Sequence, residues 1–389
     1  MASTRPLRAI ALGACLSLPR AAAAQPPATA APAAAAPVQG IRPARNPIPP
    51  ERETAGVTRF SFIAYGDTRG RRDGIDPQYE HSLVVESMLR TIAAMANGPD
   101  PVRFVVQSGD AVVNGRDARQ WNASFVGLIN RITVEAGIPY FLAAGNHDVT
   151  GSGDLASPGR REGLANYLAA MRDLIPPEGA TRRLAGYPTY AFGYGNTFVI
   201  ALDSNIPEDS TQFGWVRAQL EGLDRARYRN VALLFHHPVY SSGPHGGAIV
   251  ERPTAVLRER WMPLVRRHGV KLLITGHEHL FEHWVERYVD ARGTPRRVDQ
   301  FVTGGGGAPL YAYTGEPDLR AYQRADSAAR VRVEHLVRPS PSAGENPYHY
   351  LVVRVDGERI RVEVVGVEWG RGYAPYRSSR ATLSDSTVP

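Results

Sequence analysis

The 389-residue chain carries 45 lysine and arginine side chains against 38 aspartate and glutamate, a formal charge of +7, with 43% hydrophobic residues. That length admits either two domains of ordinary size or one large α/β domain. A single cysteine, Cys15, excludes a disulfide or a thiolate cluster within the sequence, and the basic residues, all arginine except Lys271, are scattered with no run interleaved with aromatics, so no nucleic-acid partner is expected.

In chain order, residues 1–24 read as an export signal: Arg5 and Arg8 precede an apolar segment over 9–18, and Ala22-Ala23-Ala24 before Gln25 form a small-residue cleavage site. The segment is too short for the roughly 20 apolar residues of a membrane span. Leu12-Gly13-Ala14-Cys15 offers a second reading, similar to a bacterial lipobox, in which Cys15 is lipidated and anchors the protein to a membrane. Both readings take the protein to the periplasm or outside the cell. Residues 25–55, rich in alanine and proline, cannot bury enough apolar surface to offset their ordering entropy and are expected to be a disordered linker.

The folded domain is expected over 56–313. Strands at 58–65, 102–107 and 139–144 alternate with helices near 83–95, 118–135 and 164–174. A hairpin follows at 189–192 and 197–203, then helix 212–225, strand 231–235, helix 254–268, strand 270–275 and a second hairpin at 284–289 and 297–303. The polar stretch 314–346 reads as a surface excursion, and strands at 348–355 and 360–367, about the Asp356-Gly357 turn, complete the sheet within 347–389. Strands alternating with helices indicate a layered α/β architecture.

Five of the apolar runs end in a residue able to hold a metal. Gly66-Asp67 follows the first, Gly109-Asp110 the second, Gly145-Asn146-His147-Asp148 the third, His236-His237-Pro238 the strand at 231–235, and Gly276-His277-Glu278-His279 the strand at 270–275. Each residue has a plain structural reading alone, since a strand-end aspartate commonly caps the next helix. Five strand ends carrying oxygen and nitrogen ligands point instead to one site. Adjacent His236 and His237 cannot both point inward from a regular strand.

In this order the five stretches resemble the motifs of the calcineurin-like metallophosphoesterases. Residues 236–242 and 303–310 are most similar to the purple-acid-phosphatase branch, and the resemblance spans 60–311. It implies a two-sheet α/β sandwich flanked by helices, a four-layer α/β/β/α fold, and a phosphoesterase in which two metal ions activate a hydroxide for in-line attack on a small-molecule or protein phosphate ester. The mixed donors suit iron, manganese or zinc better than calcium or magnesium. By resemblance, Asp110 bridges the metals, Asp67 and His279 complete the first, and Asn146, His236 and His277 the second, with His236 preferred over His237. His147 is expected to stabilise the transition state or donate a proton, with Asp148 orienting its ring, and His245 to face the substrate.

Two positions depart from the pattern. Arg69 stands where the superfamily commonly has a histidine, and Val113 where purple acid phosphatases have a tyrosine, so the first metal lacks one protein ligand and no purple colour is expected. His81 or water is the candidate replacement. Arg69 is either a surface arginine or a fork matched to phosphate oxygens. His268, His283, His335 and His349 read as solvated or capping residues, and glycines 304–307 as a tight turn beneath the site, since no lysine and helix follow as in a P-loop. A phosphomonoesterase is the leading reading, with a phosphodiesterase and a non-catalytic phosphate binder as alternatives. A remote one is a zinc peptidase, because His279, Glu282 and His283 fit H-x-x-E-H, a motif that needs a helix.

Overall fold

Alternating side chains along the strands set the layers. In a computed structural model, which describes residues 36–389 apart from 71–73, 75, 151–153, 369–371, 376–380 and 384–389, the strands in chain order are β1 (Arg59–Tyr65), β2 (Val102–Gln107), β3 (Tyr140–Leu142), β4 (Tyr190–Tyr194), β5 (Thr197–Ala201), β6 (Asn230–Leu234) and β7 (Leu272–Thr275). They continue as β8 (Phe281–Val289), β9 (Pro295–Thr303), β10 (Arg332–Val337), β11 (Tyr348–Asp356), β12 (Arg359–Glu368), β13 (Gly372–Pro375) and β14 (Ala381–Leu383). One sheet runs β13-β12-β11-β1-β2-β3 with β14 beside β12, and the other β10-β8-β9-β7-β6-β5-β4. The leader, Cys15 and residues 25–35 of the expected linker lie outside the described residues.

Two parallel cores lie side by side: β1-β2-β3 in the first sheet and β5-β6-β7 in the second. In β6, Ala232 and Leu234 join the core shared with the first sheet, while Val231 and Leu233 join the cluster formed with Val216 and Leu220 of helix Ser210–Glu221 and Leu257, Trp261 and Met262 of the helical stretch 252–267. In β1, Phe60 meets Tyr194 of the facing sheet edge-on at 4.8 Å, and Tyr65 points the opposite way to His81 on helix Tyr79–Met95. Phe141 stacks on Phe192 across the sandwich at 3.8 Å. The result is a four-layer α/β/β/α sandwich whose parallel strands end at one edge.

Several expectations need correction. Residues 36–55 are not a loose linker. Ile41 is fully buried, the chain is tied along its length to Ala170, Thr133 and Gly137, and Glu51 holds Arg182 and Tyr228. A few apolar and backbone contacts anchor a segment whose composition alone argues for disorder. The stretch 314–346 is more than an excursion, because Arg332–Val337 pairs antiparallel with β8 as an edge strand. The helix expected at 164–174 is Pro158–Met171, started earlier by Ser157 accepting from the Arg160 nitrogen with proline in the first turn.

Of the spare histidines, His268 caps the C-terminus of helix Met262–Arg267 as expected, but the other three are neither solvated nor capping. His283 pairs with buried Asp299 at 2.7 Å, His335 stacks on Trp284 at 3.7 Å, and His349 is buried beneath the glycine run. Among the described residues no helix is long and apolar enough to cross a membrane.

Candidate metal centre

Each strand end delivers its side chain through a tight turn. Asp67, Asp110 and His277 adopt φ of 57°, 56° and 70°, left-handed backbone that costs roughly 1–3 kcal/mol per non-glycine residue. Three such residues at neighbouring strand ends show where the fold holds side chains against local preference. Two glycines let the turns approach. A Cβ on Gly109, whose φ is 111°, would sit 2.7 Å from the Gly145 nitrogen and 2.8 Å from His236 Nδ1, and one on Gly145 would collide with Asp110.

One cluster consists only of acceptors. His236 Nδ1 donates to the Ser108 carbonyl at 3.1 Å, so its Nε2 carries the lone pair. That atom lies 2.8 Å from Asn146 Oδ1, 3.1 Å from His277 Nδ1 and 3.4 Å from Asp110 Oδ1. His277 gives its Nε2 proton to Glu251 at 2.9 Å, which leaves Nδ1 bare as well. Burial lowers His236 to about 3, so its ring is neutral near neutral pH. Apart from the His147 backbone N–H that meets Asp110 Oδ1 at 3.0 Å, no proton lies among these four acceptors in the described residues, so they repel one another unless a cation lies between, and neutral imidazole, carboxylate and amide oxygen are suitable metal donors. The residues fit the second metal of the resemblance.

A neighbouring cluster joins Asp67, Asp110 and His279, with donor atoms all within 4.8 Å of one another. His279 Nδ1 donates to the Pro309 carbonyl at 2.8 Å, which turns Nε2 toward Asp67 Oδ1 at 3.6 Å. Burial, with Arg69 beside it, lowers His279 to about 3. Burial and the Asp110 charge push Asp67 well above the usual carboxylate range. For Asp110 the burial penalty is outweighed by His236, His147 and Arg69, which hold it below that range. Arg69 reaches into this cluster, its Nε 3.1 Å from Asp110 Oδ2 and its Nη2 3.4 Å from His279 Nε2.

A third grouping, His237, Glu251 and His277, is of a different kind. Ser204 Oγ accepts from the backbone nitrogens of His236 and His237 and so gives its own proton to His237 Nδ1 at 3.0 Å. Glu251 accepts from His277 and from His245 Nδ1 at 2.8 Å. Donors there meet an acceptor, and no cation is required. His236 thus faces Asn146 and Asp110, whereas His237 is anchored behind it.

The two clusters open into a cleft of about 480 Å³ lined by Arg69, His147, His245 and Tyr311. His147 Nδ1 donates to the Val113 carbonyl at 2.6 Å, leaving Nε2 for the cleft. Val113, the residue in place of a tyrosine, serves through its backbone. Asp148 does not orient that ring as expected: its buried carboxylate accepts from the backbone nitrogens of Asp110, Ala111, Val112 and Gly145. His81 does not reach the metal cluster either, for its ring stacks on Phe125 and its Nε2 meets the Tyr65 hydroxyl at 3.2 Å. The zinc-peptidase motif also fails, since Glu282 and His283 lie on β8, Glu282 accepting from Ser242.

Two acidic residues went unread. Glu251 precedes a proline-started helix and looks like an ordinary surface acid. Glu278 sits inside the Gly-His-Glu-His run, and its Oε1 accepts from the backbone nitrogens of His245 at 2.8 Å and Gly246 at 2.7 Å, holding the loop that carries His245. A buried glutamate between two histidines was the available signal.

A family model described as calcineurin-like phosphoesterase matches residues 66–281, more than half of the chain. The chain is 23% identical over 289 residues to purple acid phosphatase 4 of Arabidopsis thaliana, covering 70% of this chain and 77% of that protein. It is 27% identical over 243 residues to tartrate-resistant acid phosphatase type 5 of Sus scrofa, covering 59% and 67%. Among solved structures, purple acid phosphatase PPD1 of yellow lupin, Lupinus luteus, aligns at a TM-score of 0.59 and 18% identity, a likeness of fold, covering 87% of this chain and 55% of the lupin chain. The chain therefore spans little more than half the length of the lupin protein.

Proposed function

We propose an activity from one premise: the chain belongs to the calcineurin-like phosphoesterase family, in its purple-acid-phosphatase-like branch, and is a metal-dependent phosphoester hydrolase. The activity is hydrolysis of phosphate monoesters outside the cytoplasm, with two metal ions in adjoining positions. Asn146, His236 and His277 would hold one, Asp67 and His279 the other, and Asp110 both. Metal ions held in this way neutralise phosphate charge and acidify a water for attack in line. The observation that carries the reading is the acceptor-only cluster at the floor of a cleft walled by His147, His245 and Arg69. The relatives named as acid phosphatases support the monoester.

The protein's own side chains bind and protonate. Arg69 offers a guanidinium fork to phosphate oxygens. His147, fixed through Nδ1, presents Nε2 to the cleft and in its doubly protonated form would give a leaving alcohol its proton, and His245, held by Glu251 and Glu278, faces the same space. Replacing His147 with Ala is expected to lower kcat on p-nitrophenyl phosphate by about 10²- to 10⁴-fold with metal content unchanged. A loss of bound metal instead would assign His147 to the ligand set.

Turnover of p-nitrophenyl phosphate beside bis-p-nitrophenyl phosphate, after metal analysis and with added manganese, zinc or iron, tests the whole reading. Preference for the monoester is expected; preference for the diester makes the chain a phosphodiesterase. Bound metal with neither ester cleaved moves it to a binding role. Cell fractionation tests export, which the leader motif supports: protein remaining in the cytoplasm with residues 1–24 attached would count against it.

A further inference from the structure

The two clusters differ in one respect that distances make plain. Among the described residues no hydrogen-bond donor meets His236 Nε2, His277 Nδ1 or Asn146 Oδ1. Around Asp110 Oδ2 and His279 Nε2 there is one, and it belongs to the chain: Arg69 donates through Nε at 3.1 Å and approaches through Nη2 at 3.4 Å. The Arg69 side chain is only 15% exposed, and its backbone nitrogen is tied to the Asp110 carbonyl at 3.1 Å. Asp67 and Asp110 are buried within a few ångströms of each other and need a positive charge nearby to coexist as carboxylates.

We propose that the Arg69 guanidinium is a resident cation that holds the Asp67–Asp110–His279 position and competes with metal for it, so that the two positions fill unequally and in a set order. The Asn146–His236–His277 position fills first, because nothing of the chain must leave it. The second ion must displace Arg69 from Asp110 Oδ2 and His279 Nε2 and then sits beside a fixed positive charge, both of which weaken its binding. Once displaced, the guanidinium still borders the cleft and is free to meet a phosphate oxygen. The inference rests on the metal-dependent reading above and adds the order of filling and the residue that imposes it.

Equilibrium dialysis and calorimetric titration with Mn²⁺, on protein stripped by chelation, read the two classes of site directly. Wild type is expected to show one tight and one weak class. In Arg69→Ala the weak class should tighten by about tenfold or more while the tight class stays within about threefold. Arg69→Lys keeps the charge and should keep the gap. Melting gives a readout independent of titration: without metal, Arg69→Ala should melt below wild type because Asp67 and Asp110 lose their cation, and saturating Mn²⁺ should close the difference.

Two equal classes in wild type, an unchanged weak class in Arg69→Ala, or Arg69→Lys behaving as Arg69→Ala would each overturn the inference alone. No Mn²⁺ uptake by wild type or variant would overturn it together with the metal-dependent reading beneath it.

Discussion

Replacing Asp110 with Asn is expected to lower kcat/KM on phosphate monoesters by on the order of 10³-fold or more while leaving the fold intact. The reason lies in the position of its two oxygens. Oδ1 faces His236 Nε2 at 3.4 Å and Oδ2 faces the Asp67–His279 cluster, so this one carboxylate serves both positions. An amide presents one acceptor and one donor, so one of the two positions receives an N–H where a cation should sit, and the negative charge that would hold two cations together is gone. The cost to folding should be small. Asp110 is buried, its charge pushes both Asp67 and Asp148 upward, and removing it relieves that repulsion even as the Arg69 pair is lost. Circular dichroism and a melting temperature within a few degrees of wild type, beside loss of turnover and of metal, are the expected results. Activity above about a tenth of wild type would remove Asp110 from the bridging role.

Much of the strand framework was legible because the strands are apolar runs of ordinary length closed by glycine. The runs before Asp67, Asp110 and His277 end within a residue or two of where backbone pairing ends, and the turn residues follow at once. Chemistry at a strand end is legible for the same reason: a strand fixes direction, and the next residue projects from its edge. What was not legible depends on contacts far apart in sequence. Glu251 acquires its place only when the 243–251 loop folds back on β7, bringing it to His277. Residues 36–55 look disordered by composition, yet Ile41 finds a slot beside Ala170. Arg332–Val337 reads as polar surface because an edge strand buries little, and only its pairing with β8 makes it part of the sheet. Arg69 could be read as clamp or bystander; its approach to Asp110 and His279 is a matter of distance, which no spacing of residues reveals.

Asp148 separates structural from chemical importance most sharply, and Asp148→Ala is expected to be the more destructive of the two aspartate substitutions for stability. Next to His147 in sequence, it invites the reading of an orienting partner for that ring. Its oxygens instead collect four backbone donors: Oδ2 takes the nitrogens of Asp110 and Gly145 at 2.9 and 2.8 Å, and Oδ1 those of Ala111 and Val112 at 2.8 and 3.4 Å. These belong to the two turns that carry Asp110 and Asn146, so one side chain locks two strand ends together. Alanine leaves those donors buried without a partner, each costing about 1–3 kcal/mol where water cannot enter, and a total loss of roughly 4 kcal/mol or more corresponds to a fall in melting temperature on the order of 5–10 °C for a chain of this size. The same turns hold strained backbone at Asp110, where the Asp148 carboxylate works beside the Thr68 and Arg69 nitrogens on the Asp110 carbonyl, so its loss should disorder the metal position before the sheets. A melting curve with an early local phase and reduced Mn²⁺ binding is the expected pattern. Should Asp148→Ala melt like wild type and lose only turnover, the carboxylate would act on the reaction through His147 after all, and the backbone contacts would be incidental.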